Sequence, residues 1–364
     1  MSNFFDIREI EYNLNEYREA ASCGSCEHQE KLGVYYWTKF DIKNTKKYLN
    51  LAANNGSVFA MVMLAEFYNN PQIASGQGSD IKERETGASS VKYWDKKAAE
   101  SGSSLAMFNL AENYRVIENN EELAFLWYKR GAELGDRMCY NNMGASYEFG
   151  VGVEESEEKA FECYFKAAEN GGSLELFNVG QCYKTGRGVA KNTKKAWEYH
   201  IKSAEKGYPC ACAQVAYYYM DGEVVDRAPY EAYKWFRRGA PICGESAFGM
   251  ADCYYKGYGV EPDYKKAFIL FYRLATLGKR HVREENAINN VAICLIEGIG
   301  IEKDPEQGVL WLKKSAAMGN KNAMLNLAKC YEEGVGVKKD AGKAQKIRKE
   351  AEEMMGDEYA DEED

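Results

Sequence analysis

Tyrosine recurs in this chain at intervals of about 36 residues, at Tyr36, Tyr68, Tyr114, Tyr147, Tyr183, Tyr219, Tyr254 and Tyr331, with Leu295 in the one slot that departs. A small residue lies eight positions before most of these: Ala60, Ala106, Cys139, Ala211, Ser246, Ala287 and Ala323, with Glu175 and His28 as exceptions. Self-similarity at a fixed period of this length is the signature of a stack of small units, each too small to bury its apolar face alone. The constraint overrides length. A chain of 364 residues would otherwise suggest two or three globular domains, whereas a stack lengthens without enlarging any one core.

Within the nine residues ending at each tyrosine, positions 1, 5, 8 and 9 share one face of a 3.6-residue helix, so the first half of each unit reads as an amphipathic helix A. Glycine follows three residues after the register position, at Gly150, Gly186, Gly222, Gly257, Gly298 and Gly334, where a left-handed residue closes the helix. Five units continue into a second glycine and a β-branched residue, as in Gly150-Val151-Gly152-Val153 and Gly298-Ile299-Gly300-Ile301. The turn is therefore the same each time, and its last apolar residue can pin it to the core. Helix B then repeats Ala, an apolar or aromatic slot, a basic residue, two small residues and often a closing glycine, as in Ala124, Trp127, Arg130, Gly131, Ala132 and Gly135. Small residues let neighbouring helices approach at the short end of the usual spacing.

These residues resemble the Sel-one-like repeat family, relatives of the tetratricopeptide repeats with a slightly longer unit. The resemblance covers roughly Ala60 to Ala344, and a degenerate unit at about His28 to Gly56 brings the total to about nine. It implies an all-α fold, a right-handed α-α solenoid superhelix of helix hairpins, and a role as adaptor or scaffold for other proteins. Residues 1–27 read as an N-terminal cap with the apolar stripe Ile7, Ile10, Leu14 and Tyr17, residues 28–356 as the solenoid, and residues 357–364 as an acidic, disordered tail. Two stretches break the regular array: a long connection over 69–92, and a basic insertion with Lys279, Arg280, His281 and Arg283. Insertions in solenoids emerge as surface loops, functional or neutral.

Charge and hydropathy narrow the partners. Net charge is −9, but six acids fall within the last eight residues, so the body is nearly neutral and lacks the basic surface that nucleic acid requires. The longest apolar run near the start, Val58 to Ala65, falls well short of the ~20 residues of a membrane span. Asp6, Arg8 and Glu9 interrupt any secretory signal, so a cytoplasmic location is expected, although signal-independent secretion would look the same.

Eleven cysteines raise the question of disulfides, since some secreted relatives of the family staple each repeat with a bridge. Cys182, Cys253, Cys294 and Cys330 occupy one equivalent slot on successive A helices, about 8 to 10 Å apart, beyond the ~7 Å Cα limit of a disulfide. They read as reduced, buried thiols. Cys23-Gly24-Ser25-Cys26, followed by His28, is the sharpest local motif for zinc or thiol chemistry, but it lacks a second ligand pair or a strand before it. Some relatives have been linked with penicillin binding; Ser156 to Lys159, Ser203 to Lys206 and Lys184 to Gly186 match fragments of that serine motif set, but sit in helix positions and have no Ser-Asp-Asn companion. His200 adjoins the aromatic slot of a B helix, as a packed imidazole would.

Two ladders remain. Asn109, Asn142, Asn178, Asn290 and Asn326, with Gln214 in one gap, repeat at position 4 of helix A, where asparagine is disfavoured. A carboxamide row can read an extended peptide backbone, having both donor and acceptor, or it can bond neighbouring helices. The second ladder is Lys97, Arg130, Lys166, Lys202, Arg238, Arg273 and Lys314, one per helix B near its C-terminus, where the helix dipole favours cations. The expectation is a protein- or peptide-binding adaptor with no cofactor, no metal and no small-molecule substrate. The alternative is an enzyme, a hydrolase or thiol/zinc chemistry at Cys23 and Cys26.

Overall fold

The tyrosine register does build helix hairpins. The computed structural model describes residues 6–70, 81–169, 171–276 and 283–360, with the side chains of 81–88 and 355–360 left aside. It divides into two units, residues 1–171 with 187–189, and residues 172–186 with 190–364. Among the described residues there is no strand, and nine helix hairpins follow one another.

The first unit opens with α1 (Ile7–Tyr12) and α2 (Leu14–Ser22), two short helices where the apolar stripe suggested one. Their Ile10 and Tyr17 are buried against Leu32, Tyr35, Tyr36 and Tyr48 of the first hairpin. That hairpin is α3 (Cys26–Thr38) with α4 (Ile42–Asn54), followed by α5 (Val58–Asn69) with α6 (Ile81–Glu100), α7 (Ser104–Val116) with α8 (Glu121–Glu133), and α9 (Arg137–Phe149) with α10 (Glu157–Glu169). The second unit holds α11 (Ser173–Thr185) with α12 (Thr193–Glu205), α13 (Pro209–Asp221) with α14 (Pro229–Gly239), α15 (Gly244–Lys256) with α16 (Tyr264–Thr276), α17 (Glu284–Glu297) with α18 (Pro305–Ala317), and α19 (Lys321–Glu333) with α20 (Ala341–Ala360). In each unit a helix packs on its hairpin partner and on the next hairpin. Residues 71–80 of the long connection, 277–282 of the basic insertion and 361–364 of the acidic tail lie outside the described residues.

Burial explains the register. Ala60, Ala106, Cys139, Ala211, Ser246, Ala287 and Ala323 are all completely buried, which is why the slot excludes large side chains. The first turn of helix A is fixed by a capping side chain: Ser57, Ser103, Asp136 and Asn320 each accept the backbone N–H three residues on. At the other end Gly150, Gly186, Gly222, Gly257, Gly298 and Gly334 adopt φ between 64° and 84°.

The second glycine of the turn has a different reason. A side chain at Gly152 would collide with the backbone carbonyl of Glu121, at Gly188 with that of Glu157, at Gly259 with Pro229, at Gly300 with Tyr264 and at Gly336 with Pro305. The turn after each of these A helices thus rests directly on the start of helix B in the preceding hairpin. Of the β-branched residues that follow, Val260 and Val337 pack on core clusters, whereas Ile301 stays 39 % exposed.

Candidate protein-binding surfaces

The six carboxamides of the first ladder are all half-buried, so each is partly available and partly engaged. In the first unit Asn109 of α7 donates to Asp95 Oδ1 of α6 at 3.3 Å, while Asn142 of α9 donates back to the Met138 carbonyl of its own helix at 2.9 Å. Asp95 is buried, and burial pushes its carboxyl up to about 6 while the Asn109 amide pulls it down and Glu66 pushes it up again. In the second unit Gln214 accepts from Lys184 Nζ at 2.7 Å, and Asn326 donates to Asn289 Oδ1 at 3.0 Å, whose own amide reaches Asn290. Asn326 also lines a cavity of about 410 Å3 with Ile293, Ile296, Lys303, Lys329 and Glu333. The row therefore divides: Asn109, Gln214 and Asn326 bond to neighbouring helices, whereas the bond of Asn142 among the described residues is to its own helix.

The basic ladder turns out to be an aromatic one as well. Lys97 lies over Trp94, Arg130 over Trp127 at 4.6 Å, Lys202 over Tyr199, Arg238 over Trp235 and Lys314 over Trp311, each cation three residues after its ring. Stacking on the aromatic slot is worth ~0.5 to 1 kcal/mol at exposed sites, comparable with the dipole. Lys166 follows Cys163 instead of a ring and reaches Tyr140.

Arg273 is the rung that breaks the pattern, because its slot holds Leu270. Among the described residues its guanidinium forms no ion pair and lies over no ring, and that of Arg237 on α14 forms no ion pair either, its charge acting on the Tyr233 hydroxyl. Both flank a pocket of about 580 Å3 between α14, α15 and α16, lined mainly by Ile242, Met250, Leu270 and Leu274. Ile242 is 79 % exposed, an apolar side chain on the four-residue link between α14 and α15. Sequence reasoning took Arg273 for an ordinary rung and passed over Arg237; the signal was the leucine in an aromatic slot beside an Ala-Pro-Ile link.

Apart from Cys23, the remaining candidates are engaged in local contacts. Cys23 is exposed, and Cys26 faces the Ala52 carbonyl and Glu30. Burial and the Glu30 carboxylate raise the Cys26 pKa, opposite to what a nucleophilic or metal-bound thiol needs. His28 bonds Ser25 Oγ at 2.7 Å and meets the edge of Tyr17. Among the described residues no group of three or more His, Cys, Asp or Glu could hold a metal, and no helix is long and apolar enough to cross a membrane. Ser203 is fully buried and donates to the Ser173 carbonyl at 2.6 Å, and Ser156 accepts the Lys159 N–H near the start of α10. Cys182, Cys253, Cys294 and Cys330 are buried and, among the described residues, in no disulfide.

Of the basic insertion, Arg283 is described. It caps α17 in a left-handed conformation, φ 70°, with its guanidinium 2.9 Å from Glu245 and over the rings of Tyr217 and Phe248. Tyr217 donates to the same carboxylate at 3.0 Å. This residue of the insertion is thus tied to two preceding A helices.

Comparison with known proteins follows the same register. A family model described as Sel1 repeat matches residues 104–136, 137–172, 176–208, 211–240, 244–279, 286–320 and 321–346. Among solved structures, c5321, described as a protective antigen present in uropathogenic Escherichia coli strains and displaying an SLR fold, is 24% identical with a TM-score of 0.75, over 93% of this chain and 74% of that one. A Sel1 repeat protein from Oxalobacter formigenes is 28% identical with a TM-score of 0.60, over 68% of this chain and 96% of that one. No curated protein matches the chain.

Proposed function

The chain belongs to the Sel1 repeat family, and from that premise we propose that it is a protein-binding scaffold whose second unit grips a partner segment carrying an apolar side chain beside a carboxylate. The observation that carries this reading is the pocket between α14, α15 and α16, apolar within and flanked by Arg237 and Arg273. An apolar anchor desolvated in such a pocket supplies affinity, and a carboxylate between two guanidiniums supplies orientation and specificity. The asparagine rows, Asn109 and Asn142 in the first unit and Asn178, Gln214, Asn290 and Asn326 in the second, are proposed as the elements with which each unit reads the backbone of an extended segment, with Asn142 donating back to its own helix. In the same reading residues 28–356 are the interaction body, residues 1–27 its cap, and residues 357–364 a solvated acidic extension.

The test is selection of ligands from a random peptide display library on the full chain, followed by calorimetry. Selected peptides should pair a Leu, Ile or Phe with a neighbouring Asp or Glu. The double variant Arg237→Ala, Arg273→Ala should bind them at least ~10-fold more weakly and lose most of the salt dependence. The triple variant Asn142→Ala, Asn178→Ala, Asn290→Ala should weaken extended peptides with unchanged helicity by circular dichroism. Unchanged affinity in the arginine variant overturns the pocket, and unchanged affinity in the asparagine variant overturns the row.

A further inference from the structure

The pocket between α14, α15 and α16 calls for an apolar side chain beside a carboxylate, and the chain carries such a sequence itself. Within residues 357–364, Tyr359 has Asp357 and Glu358 before it and, after Ala360, the four acids Asp361 to Asp364. The pocket offers the complement: a lining that includes Ile242, Met250, Leu270 and Leu274, with the exposed side chains of Arg237 and Arg273 on its flanks. Tyrosine suits such a seat, because its ring is apolar and its hydroxyl can stay at the wet edge.

Arg237 and Arg273 stand in the last turns of α14 and α16, and the acidic segment begins in the last turn of α20. All three are second helices of their hairpins, so the fold brings both parts to one edge of the second unit. Met354 of α20 reaches back to the preceding hairpin: a side chain added at Gly319, just past α18, would meet its methyl group at 3.7 Å. From there α16 is one hairpin away, a step of ~10 Å, and residues 355–359 span ~17 Å when extended. Tyr359 then reaches the pocket with the hairpins in place. What must yield is the end of α20, which runs to Ala360. That end is poorly supported, since it contains Gly356, holds Asp357 and Glu358 where the helix dipole disfavours anions, and has no basic residue in its last turn.

We propose that residues 357–364 fold back onto the second unit as an internal ligand, with Tyr359 in the pocket between α14, α15 and α16 and the neighbouring carboxylates between Arg237 and Arg273. The inference rests on the reading of that pocket as a partner site, and it says how the site is regulated. The segment is solvated when a partner holds the pocket and occupies it when none does. A ligand tethered so closely acts at an effective concentration in the millimolar range. A partner must displace it, and the partner's apparent affinity falls with the fraction of chains left open.

The experiment irradiates the full chain with the photo-reactive p-benzoylphenylalanine in place of Tyr359, in dilute solution, and maps the cross-link by peptide mass spectrometry. The expected product is a monomer cross-linked at Met250 or Ile242, its yield reduced at least ~10-fold when Arg237→Ala and Arg273→Ala are added. A cross-link between two copies, one elsewhere in the chain, or one indifferent to the arginines overturns the proposal. A second measurement separates that failure from failure of the pocket. A fluorescent synthetic peptide copying residues 355–364 is titrated into the parent and into the full-length variant Glu358→Gln, Tyr359→Ala, Asp361→Asn. Binding at least ~10-fold tighter to the variant, whose own segment no longer competes, is expected. Equal binding to both, abolished by the arginine substitutions, leaves the pocket a partner site and overturns the internal ligand. Absence of binding to either also overturns it, and takes the pocket with it only where the library-selected peptides fail to bind as well.

Discussion

His200 shows how one substitution in the register changes the chemistry of a packed site. The equivalent residues Tyr128 and Tyr164 on other B helices each donate to a carboxylate on helix A, Glu112 and Glu148. One repeat further on, Lys184 stands in the glutamate's register and His200 in the tyrosine's. The imidazole is fully buried, its Nδ1 3.4 Å from the Tyr218 hydroxyl and its Nε2 without a partner. Burial first, and the Lys184 charge second, lower its pKa to about 3. The unfolded chain takes up this proton near 6.5, so the contribution to stability is intact above that pH and is lost as pH falls from there toward 3. His200→Phe, which copies Phe236 of the next repeat, should therefore remove on the order of 2 kcal/mol of the stability difference between pH 7 and pH 4.5. Urea midpoints at the two pH values measure it, and an acid sensitivity identical to the parent's would refute it. The sequence marks His200 as packed, by its place beside the aromatic slot. Its lone-pair isolation depends on what Gly180 and Lys184 bring from another helix, which periodicity does not report.

At the scale of the helix and turn, the two glycines of each A-to-B connection do separable work. Gly298 needs only a left-handed backbone, and an added side chain would press on Lys303, whereas Gly300 also abuts the Tyr264 carbonyl of the preceding hairpin. Gly298→Ala should cost about 1 to 2 kcal/mol for the left-handed residue alone. Gly300→Ala should cost at least ~3 kcal/mol, because strain and a backbone collision add. Chemical denaturation of the two variants side by side measures the gap, and equal losses would show that the contact between hairpins yields freely. The repeat made both glycines visible, but only the first was explained by local conformation; the second answers to a backbone 36 residues earlier. The basic ladder was legible in the same partial way. Position near the helix C-terminus accounted for the charge, while the three-residue spacing from Trp127, Trp235 and Trp311 carried the stacking.

Each unit, taken as a whole, is a row of hairpins in which stability is a sum of nearest-neighbour terms. In the second unit α13 to α18 are packed between hairpins on both sides, whereas α20 buries Ala344 and Ala351 and leaves most of its other described side chains exposed or half-exposed. Amide hydrogen exchange should accordingly fall along a gradient, slowest in α13 to α18 and fastest in the last turns of α20. One common exchange rate across the unit would instead indicate a single cooperative block. The register, the helical class and the nine hairpins were all readable before any coordinates, because the same packing problem is solved repeatedly with the same residues. The arginine-flanked pocket was not, because it arises at a single junction where three helices depart from the consensus. The seat of the second glycine also bears on synthesis. Because the turn following one hairpin's first helix closes over the beginning of the previous hairpin's second helix, a hairpin leaving the ribosome is complete only when the opening half of its successor has emerged. Folding during translation should then trail the growing chain by about half a repeat, with the newest helix pair always waiting for a lid that is still being made.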